Sequence, residues 1–170
     1  YRDFIFNPDA NLARAAMNLG RPLLSMRVQD ALVALGYLAA RPDVDPSDLR
    51  VLGHREGGVI ALFVGALDER VRMTVAHRPL VDFRTLLENR YYAQPASLFV
   101  LGVLRHFDLP QVVGAAGPRR VLLINAVDGL GRRLAGPTVR VRYLPVTNLE
   151  AIVNDYPGQL IELAMSTERL

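Results

Sequence analysis

A short apolar run, Leu49-Arg50-Val51-Leu52-Gly53, is followed by His54-Arg55-Glu56 and then by a glycine pair, Gly57-Gly58, that opens a second apolar run from Val59 to Leu67. The first run has the length of a strand and the second that of a helix. Glycines on both sides of so short a connection imply a sharp strand-to-helix turn, where a side chain would collide with the neighbouring strand or helix. Asp68-Glu69-Arg70 stops the helix, and Val71 to Ala76 reads as another strand. A strand, a tight turn, a helix and a further strand make a parallel unit and constrain the chain to an α/β fold.

The remaining segments fit that class. From Ser25, Met26, Val28, Ala31, Leu32, Leu35 and Leu38 recur at spacings of three and four, which predicts a helix that Pro42 ends. Before it, residues 1–24 read as mixed: a turn at Asn7-Pro8-Asp9, a short apolar segment with arginine, and Gly20-Arg21-Pro22. Residues 79–89 read as loop and short helix, and 95–106 as an apolar helix. Asp108 is suited to cap a further short helix. Arg120 to Asn125 and Val139 to Leu144 read as strands, and residues 157–169 as a terminal amphipathic helix. Short apolar strands alternating with helices predict a mostly parallel sheet flanked by helices, with its strands buried on both faces.

Composition narrows the function. With 170 residues, 51% of them hydrophobic, the chain can bury one real core. The absence of cysteine excludes a disulfide scaffold, a zinc–thiolate site and a cysteine nucleophile, but does not fix the compartment, cytoplasmic or secreted. The net charge is +3 and every basic residue is arginine, interleaved with Asp and Glu rather than clustered. Without a basic face or stacking aromatics, a nucleic-acid partner is not expected. No apolar stretch reaches the roughly 18 residues of a membrane-spanning helix. Asp3 and Asp9 interrupt any leader-like run. The first residue is Tyr1, and the chain is expected to be a piece of a longer polypeptide. His54, His77 and His106 are dispersed without metal-ligand spacing, so no metal or other cofactor is expected.

The glycine frame Gly53-His54-Arg55-Glu56-Gly57 has the spacing of the G-x-S-x-G nucleophile elbow. At such an elbow the backbone N–H of the next residue, here Glu56, and the helix N-terminus can stabilise an oxyanion. The serine position is occupied by Arg55.

Other segments extend the likeness. Arg27-Val28-Gln29-Asp30, the stretch from Tyr37 to Asp45, Ala66-Leu67-Asp68-Glu69-Arg70-Val71, the stretch from Gly102 to Pro110 and that from Gly117 to Asp128 follow in order. Over roughly residues 20–135 the chain resembles the acetyl-xylan-esterase-like branch of the α/β-hydrolases. The resemblance implies the C-terminal part of that fold, with 49–53, 71–76, 120–125 and 139–144 as its last four strands. About four earlier strands, and the oxyanion donor of an early loop, would then be missing. Residues 1–24 would be the loop or excursion after the missing fourth strand, and residues 25–170 the C-terminal half of the domain.

In this superfamily the triad order is serine, then acid, then histidine. The resemblance puts Arg55 at the nucleophile position and Asp128 at the acid position. The base would lie past Leu144, yet no histidine follows His106. A guanidinium stays protonated and offers no nucleophilic lone pair. Ser25, Ser47, Ser97 and Ser166 lie on no strand-to-helix elbow.

Plainer roles stand beside these. Glu56 suits the first turn of a helix, where the dipole favours a carboxylate. Asp128 before Gly129 can simply form a turn. His54 can pack or hydrogen-bond beside the elbow, His77 ends a strand and can face the site opening, and His106 reads as a satisfied polar residue. Arg119-Arg120 and Arg132-Arg133 read as solvated or sheet-end charges, or as anion ligands.

Three functions stay open at this point. The first is a catalytically inactive esterase-like domain with a structural or interaction role. The second is an active carboxylic-ester hydrolase, of acetyl-esterase type, whose triad is completed by missing residues or a partner. The third is a small-anion binding module at Arg55. Strand 49–53 would present an open apolar edge, so packing against the rest of a larger polypeptide or against other subunits is expected.

Overall fold

The computed structural model describes residues 7–117 and 119–134, together with the backbone of 142–143. Helix α1 (Pro8–Asn18) leads into α2 (Leu23–Ala39), strand β1 (Leu49–His54), α3 (Glu56–Leu67) and β2 (Val71–His77). Three 3-10 turns follow, at Arg84–Leu86, Ala96–Leu98 and Val103–Arg105, and then α4 (Leu109–Ala115), β3 (Arg120–Ile124) and β4 (Arg142–Tyr143).

The sheet has the order β1-β2-β3-β4, and every pairing is parallel. The α/β expectation holds: a parallel sheet flanked by helices. The register sets Gly53 beside Ala76 and His54 beside His77, and His77 in turn beside Ile124. The carboxyl ends of three strands therefore lie in one row, which is where a parallel sheet exposes its crevice.

Sequence accounts for most of the boundaries. Asp108 accepts from the Leu109 N–H at 2.7 Å, and Gln111 accepts from the Asp108 N–H at 2.6 Å, a capping box that starts α4. The main cluster joins Leu24, Val28 and Leu35 of α2 with Val59 and Val64 of α3, Val71 of β2, and Leu80 and Leu98 from the loops. Leu80 and Leu98 are at most 1% exposed, and burying each such side chain stabilises the fold by roughly 1.5–3 kcal/mol. Leu62, Ala76, Val112 and Leu123 form a second cluster that includes α4.

Several expectations are corrected. The stretch read as a turn and short segment is helix α1: Pro8 sits in its first turn, and the Asn7 side chain accepts from the Ala10 N–H at 3.1 Å. Residues 95–106 are not one helix. Pro95 is extended and Gly102 has φ 74°, so the apolar run breaks into two 3-10 turns. β1 is not buried on both faces. Leu52 is 37% exposed, and among the described residues no strand pairs with the far edge of β1. Of the strand expected at 139–144, the two residues of β4 are described. The expected helix at 157–169 and any base past Leu144 lie outside the described residues.

Candidate functional site

β1 runs into α3 through Arg55, whose backbone has φ 52° and ψ −114°. For a residue with a side chain this is a costly conformation, about 1–3 kcal/mol, kept only where the surroundings impose it. The surroundings do impose it: the Arg55 N–H donates to the His77 carbonyl at 2.8 Å, and the Arg55 carbonyl accepts from Gly58 at 3.0 Å and from Val59 at 3.3 Å. A Cβ on Gly53 would collide with the Gly57 carbonyl and lie 2.6 Å from Gly58 N. A Cβ on Gly58 would meet Gly53 O and the Pro79 Cβ at 3.3 Å each. On Gly57 it would meet nothing within 4 Å. The tight pair is therefore Gly53 and Gly58, and the expected steric need for glycine at Gly57 is not met.

The conformation recurs along the sheet edge. Arg78 follows β2 and Asn125 follows β3, both at φ 52°, and the Arg78 N–H donates to the Ile124 carbonyl at 2.7 Å. Arg55 and Arg78 open onto a cleft of about 610 Å³, shared with His54, Glu56, Gly57 and Gln94.

His54 and His77 meet at this opening. Their Nδ1 atoms are 2.8 Å apart, and their rings stack with centroids 4.9 Å apart. One Nδ1 must donate and the other accept, so the pair holds one proton between these two nitrogens. Burial, then the Arg55 and Arg78 guanidinium groups, push the His54 imidazole below its ordinary value. Burial, then His54 and Arg78, push His77 down to about 4. Both rings are neutral at pH 7. His106 is exposed and does not line the cleft.

The two carboxylates singled out by sequence are engaged elsewhere. Glu56 pairs with Arg27 of α2, which also holds Asp9 of α1. Asp128 is 6% exposed, and its Oδ1 accepts from the N–H groups of Leu130 and Arg132 at 2.9 Å each. Its Oδ2 takes the Arg132 Nε at 2.8 Å. Burial opposes ionisation of Asp128, but these hydrogen bonds outweigh it and hold the carboxyl below the ordinary range. Val127 and Gly131 line the cleft, whereas the Asp128 side chain turns into its own loop.

The arrangement thus brings Arg55, Glu56, Gly57 and His54 together and leaves Asp128 in its turn. Sequence reasoning missed Arg78 and the pairing of His54 with His77. The strand register could have found both, because β1 and β2 each end in His and are each followed by Arg. Among the described residues no group of three or more His, Asp or Glu side chains could hold a metal ion.

No protein-family model matches the chain. It is 25% identical over 126 residues to YtaP of Bacillus subtilis (strain 168), a protein named as a hydrolase; the match covers 70% of this chain and 40% of YtaP. It is 37% identical over 60 residues to the polyketide transferase ATR5 of Stachybotrys chlorohalonatus (strain IBT 40285), over 35% of this chain and 20% of that protein. Among solved structures, a promiscuous CE15 esterase from a marine bacterial metagenome matches with TM-score 0.44 and 19% identity, over 57% of this chain and 28% of that one. A glucuronoyl esterase from Solibacter usitatus matches with TM-score 0.44 and 18% identity, over 59% and 29%. The chain spans less than half the length of these relatives.

The parallel sheet and the glycine-tight elbow define an α/β fold, and over 70% of its length the chain is similar to YtaP. Arginine stands at the apex of its elbow.

Proposed function

We propose that this chain is a catalytically inactive α/β-hydrolase domain of the esterase type, with a structural or interaction role. One observation carries the reading: the strained elbow is kept, and the residue held at its apex is Arg55, which cannot attack a carbonyl. Asp128, at the acid position, supports it, because three hydrogen-bond donors of its own loop take up its carboxylate. The far edge of β1 and the exposed Leu52 support a packing role, since an unpaired apolar edge favours association.

The test is hydrolysis of p-nitrophenyl acetate. The expected result is no turnover above that of the Arg55→Ala and Asp128→Ala variants. Hydrolysis that disappears in either variant overturns the reading. For the packing role, light scattering together with hydrogen exchange of 49–54 decides. A clean monomer with that strand protected would speak against it.

A further inference from the structure

We propose that Arg55 and Arg78 together form a binding site for a small oxyanion, a carboxylate or phosphate group, in the cleft at the carboxyl ends of β1 and β2. This rests on the non-catalytic reading only in taking Arg55 as a ligand-binding group rather than a failed nucleophile.

The two residues directly follow the paired positions His54 and His77, so they stand just past the ends of neighbouring strands, whose backbones run about 4.8 Å apart. Both have φ 52°, a conformation that favours glycine, and both line the same cleft. Five other arginines, Arg27, Arg41, Arg50, Arg70 and Arg132, are held by carboxylates. Among the described residues neither Arg55 nor Arg78 has such a partner. The carboxylate that shares their cleft, Glu56, is taken by Arg27.

Arg78 adds a sharper observation. Its Nε is buried and has no hydrogen-bond partner. A buried donor without an acceptor costs about 1–3 kcal/mol, more when charged, and an oxyanion in the cleft supplies the missing acceptor. Two guanidinium forks suit the planar carboxylate and the tetrahedral phosphate alike. The start of α3 at Glu56 adds its dipole to this field. Both guanidinium groups also act on His54, so an anion lying between them would let that imidazole titrate higher.

The experiment is calorimetry of the full chain at low salt with inorganic phosphate and with citrate, and with acetamide as the neutral control. Arg55→Asn and Arg78→Asn remove each charge with a residue that tolerates positive φ. Binding of either anion, weakened at least tenfold in each variant and absent with acetamide, is expected; which anion binds tells phosphate from carboxylate. In the wild type, with no substitution, added anion should shift the Arg78 Nε–H resonance and raise the titration midpoint of His54. Equal affinity in wild type and both variants overturns the site. So does an absence of heat and of resonance shifts with both anions. Ester hydrolysis followed in the same preparations reads the non-catalytic assignment separately.

Discussion

His54 and His77 are locked Nδ1 to Nδ1 at 2.8 Å across β1 and β2, directly below the two arginines of the cleft. Both imidazoles titrate below their ordinary 6.5, His77 at about 4. Between these values the unfolded chain binds more protons than the folded one, so stability rises with pH through that window. On acidification, stability starts to fall near pH 6.5 and the loss is complete below about pH 4, with His77 accounting for up to about 3 kcal/mol. The depressed carboxylates, such as Asp128, lose their stabilising effect at lower pH still. Urea unfolding at about pH 7 and about pH 5 should show a clear drop for the wild type and little for His77→Gln. Identical pH profiles would show that the pair does not set the dependence.

The elbow makes a prediction that separates its glycines. Gly53→Ala places a methyl group against the Gly57 backbone, which cannot swing aside, and should destabilise by about 3 kcal/mol or more. Gly57→Ala meets open space in the first turn of α3 and should be neutral, or stabilising by up to about 1 kcal/mol. Denaturant midpoints of the two variants decide. Similar losses in both would mean that the close approach is not at Gly53.

The unit from β1 to β2 was legible because its apolar runs have distinct lengths and its glycines mark the turn. Helix α1 was not: it buries only Ala13 and Ala16, so its apolar stripe is too thin to announce a helix. At 95–106 apolar content suggested a helix, but Pro95 and Gly102 decide the backbone there. Arg55 was visible at the elbow, since a motif fixes its place along the chain. Arg78 was invisible as its companion, because proximity across strands comes from register and no spacing in one segment encodes it. The competing role of Asp128 as a turn former was readable from the glycine that follows it, but its pairing with Arg132 needed the loop geometry.

Asp128 therefore serves to test a structural against a catalytic role. Asp128→Ala removes the acceptor of two backbone N–H groups and one guanidinium and should cost about 2 kcal/mol. Asp128→Asn keeps one carbonyl oxygen for the backbone and should cost about half as much. Thermal unfolding checks the order. If Asp128→Asn matches wild type and Asp128→Ala does too, the turn does not depend on this side chain.

Arg27 ties α1 to the elbow by holding Asp9 and Glu56 at once. The three side chains are partly exposed, so solvent screens them and each link is weak, but one guanidinium shared by two carboxylates fixes two helices with a single side chain. Its pKa is raised: burial opposes this, and the bonds to Asp9 and Glu56 prevail. Arg27→Met keeps much of the apolar stem, removes both links and should cost about 1 kcal/mol, less at high salt. The loss should be local, because the two buried residues of α1, Ala13 and Ala16, pack in a small cluster with Leu23 of α2, apart from the main core. Hydrogen exchange should therefore accelerate in Pro8–Asn18 while β2 and β3 keep their protection. Uniform acceleration across the sheet would instead make Arg27 a support of the whole fold, and unchanged exchange in α1 would show that the apolar contacts alone hold it.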